Sequence, residues 1–578
     1  MSADSPTLRS VLDSALLEDL RLAYRSFDMT AGRYIGLVVV PSLLFFVGSI
    51  MAALWLPYPL LVRGPIPALG ILVVLVAILF PKLQLNGRRN DIRNSFHLLM
   101  THLTVLSTTN IDRMEVFREL GKEREYGAAA EEIRELVHLV DTWNQSLDDA
   151  CRRRARVVPS EALTDFYERL GYTLSAGQAL DDFMINEQEF IVDKYETIYE
   201  SALANLEVMK DLYLSMILSM TFALVFAIVL PILVGADPTM LVAAVIVLFI
   251  FIQVGFYAAI RSMAPADPVW YYPTDRPRQD TMLLFGAVIA WILFCLLMSV
   301  ALAGQFDIGP GISWLFFFTD NPPTPLVLAF AVVPFLPIGV AARYWEGQIV
   351  TRDDEFPSFI RALGASESAK QSPTTVVLST LREKDFGALS PPIERLYRRL
   401  NARLDTRIAW ESFAIDTRSY LIQKYAEMYV TGRHMGGEPK QLGELISKHM
   451  NSVNQLREQR RQSAITLLGV LYGISAAATF AFFVGLEVVQ LLTDISQEMN
   501  LDNLEVGALI HPDQYNVPLI EWLLVAVIFA NALLSAIMIR TVDGGRMSSG
   551  YVHVVGISWV SCFVAITTEW VVSGILTI

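Results

Sequence analysis

The sequence has few of the residues from which metal and disulfide sites are built. Its 578 residues include three cysteines, and none of them forms a Cys-x-x-Cys pair. Cys295 and Cys562 fall in apolar stretches, so neither a disulfide framework nor a zinc site is expected around Cys151 or these two. His97 and His102 are five residues apart, which does not place both on one helix face for a metal. We therefore expect no metal and no cofactor.

Motifs for nucleotide hydrolysis and for proteolysis are also missing. The stretch nearest to a phosphate-binding loop, 432–440, lacks the Gly-Lys-Ser/Thr end that cradles phosphate and predicts a turn after a helix. Asp543 precedes two glycines, the reverse of the Gly-x-Gly-Asp order of prepilin peptidases, which favours a tight turn. No Asp, Glu, Lys or Arg lies at the middle of an apolar stretch, which disfavours an ion-coupled transporter. The chain is expected not to be an enzyme, with a prepilin peptidase and a transporter as alternatives.

The composition is that of a membrane protein. Hydrophobic residues make up 53% of the chain and the mean hydropathy is +0.43, well above the usual value for a soluble protein of this length. The net charge of −14 argues against binding to nucleic acid. The polar, acidic N-terminus is not expected to be a signal peptide. Nine stretches are predicted to span the bilayer, at about 35–56, 66–85, 213–234, 239–260, 282–303, 325–342, 464–490, 518–539 and 554–577.

Arginine and lysine set the predicted orientation. With the N-terminus in the cytoplasm, 44 of the 45 basic residues fall on the cytoplasmic side, and the exception is Arg63. The C-terminus is then extracytoplasmic, and two domain-sized segments face the cytoplasm. The predicted divisions are a cytoplasmic segment 1–34, spans one and two in 35–85, a first bundle 86–212, spans three to six in 213–343, a second bundle 344–463, and spans seven to nine in 464–578.

Both cytoplasmic segments are predicted to be helical bundles, because apolar residues recur at helical spacing and hairpin turns are scarce. In the first, Asn110 is expected to cap a helix that ends at a left-handed Gly121. The fold class is therefore all-α, a polytopic membrane protein with about nine transmembrane helices. The two segments also resemble each other in four ordered places, which indicates an internal duplication. The matched stretches are Ser95-Phe96 with Ser358-Phe359, 122–127 with 382–387, Ile133 and Leu136 with Ile393 and Leu396, and 171–183 with 431–445.

This pattern resembles the F-type inner-membrane platform proteins of type II secretion and type IV pilus machines. The residues that carry the resemblance are 106–111 with the helix that follows, and Gly177 to Leu180. In the second copy Gly437 and Leu442 are matched to that pair, with a spacing two residues longer. Bacterial members of the family have a glycine in the turn at 106–111, and this glycine is absent here. The Ser-Thr-Thr-Asn sequence of this turn is more similar to the archaeal branch of the family. Within that branch archaellum (archaeal flagellum) platforms are the first expectation, and adhesion-pilus or type II-like secretion platforms are the alternative.

The resemblance implies a non-catalytic platform in the cell membrane that works with other proteins. Its implied partners are a hexameric secretion ATPase on the cytoplasmic face, pilin-like (archaellin) subunits in the bilayer, and a second copy of the chain. The motion of the ATPase would pass through the two bundles to the growing filament.

Charged clusters supply the candidate contact residues. The second bundle is net basic, with 19 basic and 15 acidic residues in 343–463, whereas 82–212 has 16 basic and 24 acidic residues. A basic surface suits an acidic partner, although a solvated helix face explains such residues as well. Arg457, Arg460 and Arg461 are expected to lie on a solvated helix face or to contact anionic lipid next to the membrane. The candidate ATPase-docking residues are Arg395, Arg398, Arg399, Arg403, Arg152, Arg153 and Arg154, and the candidate outer-face contacts with subunits are Glu487, Glu521 and Glu569.

Overall fold

A computed structural model describes residues 34–55, 74, 92–109, 111–123, 126–158, 160–231, 238–265, 267–271, 278–305, 322–498 and 516–576. These residues are almost entirely helical and contain no strand, which confirms the all-α prediction. The chain divides into two compact units, 1–189 and 190–578.

The first unit contains an apolar helix and then a bundle. Helix α1 (Val40–Trp55) follows a π-helical turn at Ile35–Val39. The bundle consists of α2 (92–107), α3 (Arg113–Lys122), α4 (Ala128–Trp143), α5 (Leu147–Ala155), α6 (Glu161–Ser175) and the first residues of α7 (Leu180–Val229). Its core includes the Phe96 ring, which packs edge-on against Phe166 with ring centres 6.2 Å apart.

The second unit combines membrane helices with the other bundle. It contains the rest of α7, followed by α8 (Pro238–Met263), α9 (Arg278–Gln305), α10 (Thr324–Ala331), α11 (Phe335–Lys370), α12 (Thr374–Leu381), α13 (Ser390–Asn401), α14 (Thr406–Thr417), α15 (Tyr420–His434), α16 (Pro439–Glu498), α17 (Val517–Asp543) and α18 (Tyr551–Leu576). One hydrophobic core joins α7, α8, α9, α10, α11, α16, α17 and α18. The long helices α11 and α16 run from this core into the bundle without interruption.

Seven helices among the described residues are long and apolar enough to cross a membrane, and they correspond in order to the predicted spans three to nine. Span one corresponds to the shorter apolar helix α1. Span two, at 66–85, falls almost wholly outside the described residues. The sixth span is interrupted by a turn at 332–334, between α10 and α11.

The order of helices supports the duplication. Helices α2 to α7 in one bundle correspond in order to α11 to α16 in the other. Gly127 and Gly387 both have a left-handed backbone, with φ of 53° and 52°, and both precede the third helix of their bundle. Gly177 and Gly436, with φ of 77° and 85°, both precede the last helix. Only glycine adopts this region at no steric cost, so the same turns recur at the same places.

The structure corrects the register of one predicted match. Gly436, rather than Gly437, corresponds to Gly177. Phe183 then follows Gly177 at the same spacing at which Leu442 follows Gly436, so Leu442 is the counterpart of Phe183. The predicted difference of two residues in spacing between the copies was therefore wrong.

Two local predictions for α3 also fail. Its N-cap is Asp112, whose carboxylate accepts a hydrogen bond from the Met114 N–H, and Asn110 lies outside the described residues. Gly121 is buried inside the helix and does not have a left-handed backbone. A Cβ at Gly121 would come within 3.0 Å of the Arg134 side chain, so glycine allows close packing there.

Candidate coupling and docking surfaces

A buried ion cluster joins the second bundle to the loop after α8. The Arg457 guanidinium on α16 donates two hydrogen bonds to the Asp267 carboxylate, over 2.7 and 2.6 Å, and a third to Asp353 on α11, over 3.0 Å. All three side chains are largely buried. Arg457 carries one positive charge, which the Asp267 carboxylate already balances. Asp353 is therefore a second acid buried beside a single cation. Burial raises the pKa of the Asp353 carboxyl to about 7.

A second cluster joins the end of α17 to α11 and α16. Arg540 donates to Glu346 and to Asp543, each over 2.5 Å. Arg460 donates to the carbonyl oxygens of Val542 and Thr541, over 2.5 and 3.0 Å. These carbonyls lie at a helix C-terminus, where backbone acceptors lack partners within the helix.

The sequence Asp543-Gly-Gly forms the predicted tight turn. Gly544 has φ of 81° and ends α17. A Cβ at Gly544 would lie 2.6 Å from the Arg460 guanidinium carbon. Glycine is therefore needed at this position for the left-handed backbone conformation and also for the close approach of Arg460. Arg460 is only 3% exposed and Arg457 is paired with two acids, so the expectation that these two arginines lie on a solvated face or contact lipid was wrong.

The segment 267–271, here called the strap, pairs with the second bundle through its backbone. The Tyr271 N–H donates to the Arg418 carbonyl over 2.9 Å, and the Tyr420 N–H donates to the Val269 carbonyl over 3.1 Å. Trp270 and Ser419 form an isolated antiparallel bridge between them. These contacts attach the loop between α8 and α9 to the junction of α14 and α15.

Sequence reasoning missed the strap and both ion clusters. The available signals in the sequence were weak: one acidic residue in a short loop between two apolar spans, and charged residues just beyond the ends of three apolar spans. It also missed a chain of uncharged polar side chains inside the membrane core. Gln253 on α8 donates to Asn531 on α17 over 2.7 Å, and Asn531 donates to Ser475 on α16 over 2.9 Å. Such interhelical hydrogen bonds hold membrane helices together.

The predicted arginine stripe lies on α13, opposite its buried residues Ile393, Leu396 and Leu400. Two of the stripe arginines, Arg395 and Arg399, pair with an acid on the next helix, α14, while 44% and 27% of their side chains stay exposed. Arg395 and Arg399 both donate to the same Asp416 oxygen, over 2.9 and 2.6 Å.

The remaining stripe residues face solvent. Arg398 pairs with Glu394 on its own helix, with 73% of its side chain exposed. Arg403 is exposed in the loop between α13 and α14. Three neighbours that are not among the candidate docking residues are exposed beside it: Leu404, Arg407 and Ile408.

The basic cluster of the first bundle is divided in a similar way. Arg154 is mostly buried in an ion pair with Glu132 on α4, and therefore holds α5 in place. Arg152 pairs with Asp148 over 2.6 Å and is partly exposed. Arg153 is exposed and lies over the Trp143 ring, 5.7 Å from its centre, in a cation–π contact.

The structure brings the three candidate outer-face acids together. Glu487, Glu521 and Glu569 come from α16, α17 and α18, are all half-buried, and lie close enough for their charges to interact. The Thr324 hydroxyl at the start of α10 donates to Glu521. Four membrane helices therefore contribute to one polar group of residues at one end of the second unit.

The two histidines weighed as metal ligands lie in the core of the first bundle. His97 is buried, and burial lowers the pKa of its imidazole to about 3. His102 shares a 3.0 Å hydrogen bond with the Tyr126 hydroxyl. Among the residues that the structure describes, no three His, Cys, Asp or Glu side chains are grouped to hold a metal ion.

Comparisons with known proteins agree with this architecture. The family model for the type II secretion system (T2SS) protein F matches residues 99–230. The flagella accessory protein J of Methanocaldococcus jannaschii is 30% identical over 509 residues, which cover 88% of this chain and 90% of that protein. A flagella accessory protein J from Methanococcus voltae is 29% identical over 547 residues, covering 93% of this chain and 94% of that protein. No solved structure gives a significant match.

Proposed function

This chain belongs to the family of the flagella accessory protein J, and we propose on that basis that it is the membrane platform of an archaellum-type filament machine. In this role it is not a catalyst. It docks a hexameric secretion ATPase on its cytoplasmic face and passes the motion of that ATPase to pilin-like subunits in the bilayer. The proposed orientation has the N-terminus in the cytoplasm and the C-terminus outside, and the platform works as a homodimer.

The observation that carries the proposal is the continuity between the second bundle and the membrane helices. Helices α11 and α16 belong to both, the strap pairs with the bundle, and Arg457 joins α16 to the strap and to α11. A push on the bundle is therefore transmitted to several membrane helices together. That arrangement suits a part that transmits force.

The docking surface we propose is the loop between α13 and α14 with the adjoining end of α13. Arg398, Arg403 and Arg407 are exposed cations there, and Leu404 and Ile408 are exposed apolar side chains, 45% and 52% exposed. Interfaces combine an apolar centre with charged groups that steer the partner. Arg395 and Arg399 are not part of this surface, because Asp416 holds them.

Charge reversal tests the docking surface. The triple variant Arg398→Glu, Arg403→Glu, Arg407→Glu is expected to abolish co-purification with the ATPase, because three attractive charges become repulsive. Leaving Arg395 and Arg399 unchanged avoids placing new acids beside Asp416. The measurement is the amount of ATPase recovered with the affinity-tagged platform from solubilised membranes.

The matched control is the double variant Lys370→Glu, Lys440→Glu, which reverses exposed charges elsewhere on the same bundle. Both variants should insert into the membrane as the wild type does. If the triple variant recovers as much ATPase as the wild type, this surface is not the docking site.

The outer acids are the proposed contact with filament subunits, since Glu487, Glu521 and Glu569 converge from three helices. An archaeal adhesion-pilus platform remains the alternative, and a deletion strain separates the two. Loss of swimming with retained surface adhesion supports the archaellum, and the reverse result supports the pilus.

A further inference from the structure

A polar cavity of about 620 Å³ lies between α11, α16 and the strap. Residues of both ion clusters line it, among them Asp267, Asp353 and Arg457, and every lining residue belongs to the second unit. Glu458 and Arg461 also line it, and each has 58% of its side chain exposed, so the cavity opens to solvent. Water and protons therefore reach the buried Arg457 cluster while the bundle stays folded.

The Arg457 cluster contains more acid than base. The side chains of Arg457, Asp267 and Asp353 are only 15%, 9% and 3% exposed. One guanidinium thus faces two carboxylates, and a second negative charge buried beside a single positive one is unfavourable. A proton bound to one of the two acids removes this excess charge.

The hydrogen bonds single out Asp353 as the acid that takes the proton. Both oxygens of Asp267 accept from Arg457, whereas Asp353 accepts from Arg457 through Oδ2 alone. Asp353 Oδ1 is buried and has no hydrogen-bond partner among the described residues, and the same holds for Oδ1 of Asn454.

Asn454 is placed to receive that proton. It lines the same cavity, and its Nδ2 donates to the backbone carbonyl of Asp353 over 2.8 Å, so its amide lies against this residue. A carboxylate only accepts hydrogen bonds, but a protonated carboxyl group also donates one. A proton on Asp353 Oδ1 therefore supplies the donor that the two oxygens lack.

The other charged and titratable groups near Asp353 do not cancel the excess negative charge. On α11, Arg352 donates to backbone carbonyls of the second bundle, and Asp354 adds a further acid. On α15, the Tyr425 hydroxyl shares a 2.9 Å hydrogen bond with His449 on α16. Burial raises the pKa of Tyr425 well above its usual value, so this hydroxyl is neutral.

Burial is the largest influence on the Asp353 carboxyl and raises its pKa to about 7. The Arg457 guanidinium and the Ser419 hydroxyl favour the charged form, whereas Asp354 and Asp267 oppose it. The carboxyl therefore holds its proton at acidic pH and loses it as the pH passes neutrality.

We propose that Asp353 is a proton-binding site that controls the joint between the strap and the second bundle. With the proton bound, Arg457 and Asp267 balance each other, and the strap stays on the bundle through this ion pair and its two backbone hydrogen bonds. Without the proton, a second negative charge lies beside Asp267, and the joint opens more easily. The strap leads to α8 and α9, so acidity sets how firmly these helices follow the bundle.

The expected pH dependence has a definite sign. In the open joint Asp353 is in water, where an aspartate has a pKa of about 4. The closed joint holds the proton more tightly, so closure is favoured at low pH and weakens as the pH rises from about 4 to about 7. Above that range both states have lost the proton, and no further change is expected. Within it, each pH unit makes opening about tenfold more frequent.

Hydrogen exchange of the strap tests the proposal on the full-length protein purified in detergent. The reporting amide is the Tyr271 N–H, which donates to the second bundle. Its protection, corrected for the intrinsic exchange rate at each pH, should fall at least about tenfold between pH 5 and pH 8 in the wild type. Asp353→Asn keeps the shape and is always neutral, so its protection should not change with pH. The matched control Glu444→Gln removes an exposed acid of α16 and should keep the wild-type dependence.

A second variant tests the charge balance itself. Asp267→Asn leaves one acid for one cation, so Asp353 stays charged as the partner of Arg457 and the dependence on pH should again disappear. The slope with pH is the readout, so a weaker joint in either variant does not obscure the result. Wild-type protection that is constant with pH, or an unchanged slope in either variant, overturns the proposal. No ATPase is present in this experiment, so its failure leaves the docking proposal standing.

Discussion

At the scale of single residues, the informative side chains are charged ones held inside the protein. Arg457 has two acidic partners, Arg540 has two, and Arg460 is bound to the backbone of α17. Removing a charge from water costs several kcal/mol, and several hydrogen bonds are needed to offset that cost. These arginines therefore hold helices in fixed positions and are not free to bind a partner.

Replacing Arg457 should destabilise the second unit strongly. Arg457→Met keeps the length of the side chain but leaves Asp267 and Asp353 buried without their cation, which costs about 3–5 kcal/mol. Thermal unfolding of the purified protein, followed by loss of the monodisperse size-exclusion peak, measures the effect.

Arg461→Met is the control, because Arg461 is 58% exposed and its contact with Glu458 is long, at 4.0 Å. Its effect should stay below about 0.5 kcal/mol. The triple variant Arg457→Met, Asp267→Asn, Asp353→Asn should recover part of the loss, since no unpaired charge remains. Equal unfolding temperatures for the two single variants would contradict this account of the cluster.

At the scale of elements, the crossing of α11 and α16 depends on two glycines. A Cβ at Gly364 would lie 2.3 Å from the Pro439 carbonyl oxygen, and one at Gly443 would lie 2.8 Å from the Ile360 carbonyl oxygen. The corresponding crossing in the first bundle has Thr104 and Met184, where the Thr104 hydroxyl donates to the Met184 carbonyl over 3.2 Å. The two copies thus use different residues for the same contact between the first and last helix.

Gly364→Ala should separate these helices and destabilise the bundle by about 1–3 kcal/mol, since backbone atoms cannot move aside as a flexible side chain does. Gly473→Ala on α16 is the control, because nothing lies within 4 Å of a Cβ there. Hydrogen exchange of the α11 and α16 peptides reports the difference. If both variants exchange at the wild-type rate, the close crossing is not needed.

At the scale of the whole molecule, the described part of the second unit is one compact unit in which the bundle and the membrane helices share α11 and α16. The strap contributes to this by pairing with the second bundle. If force passes through the body as a whole, the strap and the bundle keep their contact throughout the working cycle.

A disulfide across the strap tests that expectation. Trp270→Cys with Ser419→Cys places two thiols on residues of an antiparallel bridge, whose Cα separation of ~4.5–5.5 Å suits a disulfide. The three native cysteines are first replaced by serine or alanine. Oxidised cells should still assemble filaments, and the single Cys variants serve as controls. Loss of assembly on oxidation, restored by reduction, would show that the strap must separate from the bundle.

The class of the molecule follows from local patterns along the chain. Apolar runs, the positions of arginine and the repeated spacing predicted an all-α membrane protein with two bundles, because hydrophobic length and helical periodicity are local properties. Spans three to nine and the same helix order in both bundles follow from those patterns.

Which charged residues are available to a partner depends on how the helices pack together. Arg398 and Arg399 are neighbours in one stripe, yet Arg399 is held by Asp416 from α14 and Arg398 extends into solvent. Arg457 and Arg461 lie one helical turn apart, and only Arg457 meets Asp267, 190 residues earlier in the chain. A pattern along one helix shows which face a side chain occupies, but its partner comes from whichever element packs there.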